Sequence, residues 1–163
     1  KFVRENMGLK NVIVMIPFCR TVTECLSVQS IMSINGLIRS VNDLKVYLMC
    51  EIPSNVIEAD KFAPYVDGVS IGGNDLLQLT LGLDRDSELV SHISDYDNES
   101  YKRMIISAIK TYKKYGIKVG FCGQQPSDSP EFAKFLFENE IDSISVTPDS
   151  ILKTINMINK KNI

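Results

Sequence analysis

Five short runs rich in valine and isoleucine alternate with longer helical patterns, and this alternation constrains the fold of the chain more than any other feature. The runs are Asn11–Phe18, Lys45–Glu51, Gly68–Ile71, Ile117–Cys122 and Ile141–Val146. Their residues are apolar on both faces, which is typical of strands in a parallel sheet covered by helices. The order of elements therefore predicts the α/β class, with strand–helix repeats.

Capping signals mark the ends of the predicted helices. Thr21 and Glu24 form a capping-box pattern that opens a helix reaching about Ser40. Ser129 with Pro130 is typical of a helix start, and Gly116 stands where a left-handed residue ends a helix. The remaining helical patterns cover Asn55–Tyr65, Asp75–Leu83, Glu99–Tyr115 and the segment from Pro148 to about Asn159.

Size and charge exclude several classes of protein. The 163 residues suit one domain, and 18 basic against 20 acidic side chains give no reason to expect nucleic acid or an anionic membrane as a partner. No apolar stretch approaches the ~20 residues of a membrane span, and the basic, amphipathic start predicts no signal peptide. The 4 cysteines form no CxxC pair, which favours a reducing cytoplasm.

Two carboxylates follow consecutive predicted strands. Glu51 ends one strand, and Asp75 comes after the end of the next. Since parallel strands lie about 4.8 Å apart, both side chains can reach one point at the carboxyl edge of the sheet. Such a pair suits Mg²⁺, which takes one or two protein carboxylates and completes its shell with water and ligand oxygens. The alternative is that each caps a helix or pairs with a lysine.

Other candidates lie at the same edge. Gly72, Gly73 and Asn74 precede a helix and either bind an anion through backbone N–H groups or form a plain tight turn. Cys122 ends a strand and is either an acid, base or nucleophile or a packing residue. Arg85 is either a surface ion-pair partner or an anion contact, and the single histidine, His92, is interpreted as a surface loop residue.

Five stretches carry a family resemblance in their order and spacing. They are VMIPFCRT, MCEIPSN, DGVSIGGNDLLQLTLGLDRDSELV, VGFCGQQPSDSPEF and IDSISVTPDSI. On these stretches the chain resembles the carboxyl-terminal part of the phosphoenolpyruvate-utilising enzymes. The resemblance implies the last five β/α units of a (β/α)₈ TIM barrel, incomplete in this chain, that binds pyruvate and phosphoenolpyruvate at its carboxyl-terminal face.

The resemblance also implies roles for particular residues. Glu51 and Asp75 match the family's Mg²⁺ ligands, and Cys122 matches the acid/base that moves a proton at C3 of the substrate. The segment Gly72–Asn74 matches the part that holds substrate, although Gly73 stands where the family generally has Ser or Thr. Two arginines, Arg85 and Arg20, are candidate substrate contacts; Arg20 occurs only in some members.

Within the family, LDRDSE and CGQQPSD resemble the members that make phosphoenolpyruvate from pyruvate and ATP through a phosphohistidine and a Mg²⁺-stabilised enolate. The alternatives are the phosphate-dependent dikinases and the sugar-transport phosphotransferase enzyme I. The ATP-binding and phosphohistidine domains of such enzymes have no counterpart here, so residues 1–163 are predicted to be one structural unit of a longer chain, without turnover on its own. Open sheet edges predict a homodimer or edge-to-edge packing, and a rival hypothesis is an idle half-barrel that serves in assembly.

Overall fold

Five parallel strands form one open sheet in the order β1-β2-β3-β4-β5. The computed structural model describes residues 1–84, 87–93 and 95–159. The strands are β1 Val14–Ile16, β2 Val46–Cys50, β3 Gly68–Gly72, β4 Lys118–Cys122 and β5 Ser143–Ile144. Each pair of consecutive strands is joined by a crossover that contains at least one helix. The sheet therefore has the connectivity of a partial barrel, which confirms the predicted fold class.

The helices lie in the crossovers and at the chain ends. They are α1 Phe2–Glu5, α2 Val22–Ile34, α3 Pro53–Ile57, α4 Ala59–Phe62, α5 Gly73–Leu81, α6 Glu99–Lys114, α7 Gln125–Asp128, α8 Pro130–Glu138 and α9 Ile151–Asn159. Single 3₁₀ turns lie at Val41–Asp43, Ala63–Tyr65, Ser91–Ile93 and Pro148–Ser150. No helix in the described ranges is long and apolar enough to cross a membrane.

The first strand is predicted over Asn11–Phe18, but β1 is shorter at both ends. Pro17 has no N–H to continue the ladder, and Phe18 turns into the left-handed region with φ of 47°. At the amino end, the guanidinium of Arg4 binds the carbonyls of Lys10 and Val12 and so occupies groups that a longer strand would have paired.

Two predicted helices also differ from the structure. Helix α2 stops at Ile34 rather than near Ser40 because Gly36 adopts φ of 80° and reverses the chain. The predicted helix over Asn55–Tyr65 is broken into α3, α4 and a 3₁₀ turn, since Glu58 leaves helical geometry with ψ of 25°.

The two faces of the sheet differ in how far helices cover them. On β2 and β4, residues that point toward the helices are buried, whereas their neighbours in sequence are half-buried or exposed. The buried core includes Leu48, Ile71, Phe121, Tyr101 and Tyr112. The opposite face is the concave one, and its partial exposure reflects a sheet that does not close on itself.

Asp67 ties β2 to the turn before β3. Its carboxylate accepts a hydrogen bond from Val46 N at 2.8 Å and pairs with the guanidinium of Arg39 at 2.9 Å. Arg39 in turn donates to the carbonyls of Pro64 and Val66 at 2.9 Å. This partly buried network fixes the amino-terminal edge of the sheet, opposite the candidate site.

We expect Asp67→Ala to lower the free energy of unfolding by about 2–3 kcal/mol, since it leaves a strand N–H and a half-buried guanidinium without their acceptor. The measurement is urea unfolding. Asp60→Ala is the matched control because Asp60 is exposed on α4, and it should change stability by no more than about 0.5 kcal/mol. Equal losses in the two variants would contradict the role of the network.

Candidate functional site

The carboxyl ends of β2, β3 and β4 bring three candidate residues into one row. Gly72 lies opposite Cys122 in the parallel register. Cys50 lies opposite Ile71, so Glu51, the next residue, runs alongside Gly72. Because Cys50 and Ile71 point into the core and side chains alternate along a strand, Glu51 and Cys122 flank Gly72 on the concave side.

Glu51 is a buried carboxylate, with 7% of its surface exposed. Its Oε1 accepts a hydrogen bond from Phe18 N at 2.7 Å. Burial raises the pKa of this carboxyl group, the Phe18 N–H opposes that rise, and the negative charge of Asp75 raises the pKa further. Two acidic side chains thus act on each other at this edge of the sheet.

Asp75 lies in the first turn of α5, where the helix dipole favours negative charge. It is half-buried. Among the ion pairs of the described residues, none involves Glu51 or Asp75. This speaks against the alternative in which these carboxylates pair with lysine.

The donor set fits a hard divalent cation. Two like-charged carboxylates at one edge lack a protein counter-charge within the described ranges, and a cation would relieve their repulsion. In those same ranges no group of three or more His, Cys, Asp or Glu side chains could hold a metal. A two-carboxylate site leaves the other positions of the cation to water and ligand oxygens, as Mg²⁺ prefers.

Gly72 is required by the position of Glu51. A Cβ at residue 72 would lie 2.7 Å from Glu51 Cβ and 2.8 Å from Glu51 Oε2. The missing side chain is thus what lets the carboxylate lie over β3, toward Cys122. The sequence predicts a turn or an anion site at this glycine; the structure shows that it makes room for an acid.

Gly72→Ala should therefore displace the Glu51 carboxylate and weaken binding of a divalent cation at least tenfold. The physical reason is overlap with Glu51, which has to leave its bond to Phe18 N. Calorimetric titration with Mn²⁺ measures the change. Gly82→Ala is not a fair control because residue 82 has φ of 64°, so Ser33→Ala, exposed on α2, serves instead. Unchanged Mn²⁺ affinity in Gly72→Ala would contradict this reading of the glycine.

Gly73 and Asn74 form the first two positions of α5. A Cβ at residue 73 would lie 2.4 Å from Phe121 Cζ, 2.8 Å from Gln125 Oε1 and 2.9 Å from the Tyr101 hydroxyl. The space that a Ser or Thr would use is thus filled by three other side chains. The Asn74 Oδ1 accepts a hydrogen bond from Gln125 Nε2 at 2.9 Å.

Cys122 is half-buried, and its sulfur lies among polar and soft atoms on the concave face. Ser70 Oγ donates to Cys122 Sγ at 3.3 Å, and Met49 Sδ lies 3.5 Å from the same sulfur. The other three cysteines are buried. Burial raises the pKa of Cys19 to about 11 and the pKa of Cys50 to about 12, so both are protonated at neutral pH. Among the cysteines, only Cys122 has the partial exposure that a reactive thiol needs.

Of the two candidate arginines, Arg20 lies among the described residues and Arg85 does not. Arg20 lies just after β1, pairs with Glu24 at 3.4 Å and stacks over the Phe18 ring at 5.3 Å. It is thus at the correct edge of the sheet, with an exposed side chain already engaged by an acid. Arg85 lies outside the described residues, and its predicted role stays a prediction.

Sequence reasoning missed four residues that shape the site. Phe18 holds Glu51 through its backbone N–H, and Asn55 joins the loops after β1 and β2 by donating to Cys19 O at 2.7 Å and accepting from Ile52 N at 3.2 Å. Ser70 contacts Cys122, and Gln125 contacts Asn74. A local signal exists only for Asn55, which follows Pro53 at a helix start; the other contacts join residues distant in sequence.

Solved structures with the same fold are enzymes of the aldolase and citrate lyase type. The CitE protein from Mycobacterium tuberculosis, solved with magnesium and pyruvate, matches with a TM-score of 0.64 and 13% identity over 99% of this chain and 64% of that one. An HpcH/HpaI aldolase/citrate lyase family protein from Burkholderia cenocepacia matches with a TM-score of 0.61 and 16% identity over 88% of this chain and 62% of that one. The fold is that of a barrel-type α/β domain, and the candidate residues lie at the carboxyl ends of its strands.

The family is established by sequence. The model of the PEP-utilising enzyme, PEP-binding domain, matches residues 2–163, and the chain belongs to that family. Phosphoenolpyruvate synthase from Aquifex aeolicus is 60% identical over 94% of this chain and 18% of its own length. The synthase from Escherichia coli is 50% identical over 94% of this chain and 19% of its own length. The chain thus spans about a fifth of the curated relatives it matches.

Proposed function

We propose that this chain is the region of a phosphoenolpyruvate synthase that binds pyruvate and phosphoenolpyruvate, with Glu51 and Asp75 as Mg²⁺ ligands. The observation that carries the proposal is the row of Glu51, Gly72 and Cys122 beside an acidic first turn of α5. The magnesium and pyruvate of the solved CitE complex belong to that protein. We propose that this chain binds the same two ligands. Mg²⁺ bound there would supply Lewis-acid polarisation of the substrate oxygens.

The residues of the chain have separate tasks in this proposal. The Cys122 thiolate takes a proton from C3 of pyruvate, the C–H electrons form the C2–C3 double bond, and the carbonyl oxygen becomes an oxyanion. The backbone N–H groups at the start of α5 and the Asn74 side chain hold the substrate carboxylate. Ser70 orients the Cys122 sulfur through its hydrogen bond. Arg20 and Arg85 remain proposed phosphate or carboxylate contacts.

The phosphoryl group reaches the oxyanion from a phosphohistidine that we assign, with the ATP-binding domain, to other parts of a longer cytoplasmic chain. The P–N bond of the phosphohistidine breaks as the P–O bond of phosphoenolpyruvate forms. In the described ranges the strand order leaves β1 and β5 with one neighbour each, and apolar side chains such as Leu152, 74% exposed, lie near these ends. We propose that the rest of the parent barrel covers them, with a homodimer as the alternative.

Thermal melting with Mg²⁺ and oxalate, an analogue of the enolate, tests this function. At a ligand concentration one hundred times the Kd, binding adds about 2.7 kcal/mol to the free energy of unfolding. For a domain of this size that raises the melting temperature by about 5–10 °C. Mg²⁺ and oxalate that leave the melting temperature unchanged would favour the idle half-barrel with a role in assembly. We also expect no synthesis of phosphoenolpyruvate from ATP and pyruvate by this chain alone.

A further inference from the structure

The side chain of Gln125 is fully buried beside the site, yet half of its hydrogen-bonding capacity is unused. Its exposed fraction is 0%, and its Nε2 donates to Asn74 Oδ1 at 2.9 Å. Its Oε1 is one of the buried side-chain oxygens that have no partner among the described residues. A buried acceptor without a donor costs folding free energy, so a carboxamide at this position calls for a functional explanation.

Two glycines make the space for this carboxamide. A Cβ at residue 73 would lie 2.8 Å from Gln125 Oε1, and a Cβ at residue 123 would lie 2.2 Å from the same atom. The nearby Tyr101 hydroxyl donates to the Gly73 carbonyl at 3.0 Å and so does not satisfy Gln125. The side chain of Gln125 is therefore held by the packing around it and by one hydrogen bond to Asn74, at the start of α5.

We propose that Gln125 is a positioning residue that fixes the orientation of the Asn74 carboxamide, so that the Asn74 amino group faces the anionic ligand. Because Gln125 Nε2 occupies Asn74 Oδ1, the Asn74 oxygen is turned away and Nδ2 is left to donate to a carboxylate or enolate oxygen. Without this bond the carboxamide can rotate by half a turn and present its oxygen to the anion. This inference rests on the proposed function of the site and adds the residue that sets its anion-binding donor.

If Gln125 is a positioning residue, its replacement should lower the affinity for oxalate without lowering the stability of the fold. Gln125→Met keeps the length of the side chain. It removes the amide nitrogen and the amide oxygen, and this oxygen is the atom that has no partner. Removal of the unpartnered oxygen offsets the lost bond to Asn74, whose half-buried side chain water can still reach, so the stability of the fold should change little. Binding of oxalate should instead fall about five- to tenfold, the effect of one misplaced hydrogen-bond donor.

The experiment is calorimetric titration of oxalate at saturating Mg²⁺ with the wild-type chain, Gln125→Met, Asn74→Ala and the double variant. We expect Gln125→Met to melt without ligand at or above the wild-type temperature and to bind oxalate five- to tenfold more weakly. The double variant should bind no more weakly than Asn74→Ala alone, since a positioning residue has no effect once its target is gone. Gln125→Leu provides a second, shorter apolar replacement.

Each contrary result has a distinct meaning. Wild-type affinity in Gln125→Met, or losses that simply add in the double variant, would overturn the positioning role and leave the proposed function standing. Melting temperatures several degrees lower in both Gln125→Met and Gln125→Leu would overturn it as well, because the glutamine would then be needed for folding. A wild-type chain that binds no oxalate in the presence of Mg²⁺ would contradict the proposed function itself.

Discussion

Replacing Glu51 with Gln should abolish the rise in melting temperature that we expect Mg²⁺ and oxalate to cause in the wild-type chain. The variant loses one of the two proposed cation ligands, and a divalent cation would retain only Asp75 as a charged partner. At ligand concentrations that give about 2.7 kcal/mol in the wild type, we expect less than about 0.5 kcal/mol in Glu51→Gln. Asp75→Asn should have the same effect.

The same replacement should leave the ligand-free protein as stable as the wild type, or slightly more so. A glutamine oxygen can still accept the hydrogen bond from Phe18 N, and a neutral side chain removes the repulsion between a buried carboxylate and Asp75. Glu58→Gln is the matched control, because Glu58 pairs with Lys61 on the surface. A full thermal response to Mg²⁺ and oxalate in Glu51→Gln would refute the assignment of Glu51 as a metal ligand.

Asn55→Ala should cause the largest loss of stability, about 3–4 kcal/mol. The residue is fully buried, and its side chain donates to Cys19 O and accepts from Ile52 N and, at 3.4 Å, from Glu51 N. Its removal leaves these buried backbone groups without partners, at about 1–3 kcal/mol for each group that water cannot reach. Urea unfolding measures the loss.

Asn35→Ala is the control for Asn55→Ala. Asn35 is exposed at the end of α2, where its side chain donates to Ile31 O, and its replacement should cost less than about 1 kcal/mol. Because Asn55 holds the loop that carries Glu51, its loss should also weaken the response to Mg²⁺ and oxalate. Stability in Asn55→Ala equal to that of the control would mean that the buried amide network does not hold the site.

The parts of the site predicted from sequence are those set by chain order. Parallel strands joined through helices place their carboxyl ends at one edge, so the row of Glu51, Gly72 and Cys122 followed from where three strands end. Helix starts with local capping signals were also predicted, as Ser129 accepts from Phe132 N at 3.2 Å. The first feature depends on a rule of topology. The second depends on interactions between residues that are close in sequence.

The parts not predicted depend on packing between distant residues. Gln125 contacts Asn74 across 51 positions of sequence, and the N–H of Phe18 binds Glu51 across 33 positions. The crowding around Gly73 shows the same limit. Its sequence suggested a missing hydroxyl, whereas the structure fills that space with Phe121, Tyr101 and Gln125.

Crystals of the chain grown with Mn²⁺ and oxalate would show where the divalent cation binds. Mn²⁺ prefers the same oxygen ligands as Mg²⁺ and gives an anomalous signal that locates the ion directly. We expect one strong peak between the carboxylates of Glu51 and Asp75, with oxalate completing its shell near Asn74 and Cys122. An ordered, fully folded chain with no peak at these two carboxylates, or with the ion bound elsewhere, would contradict this expectation.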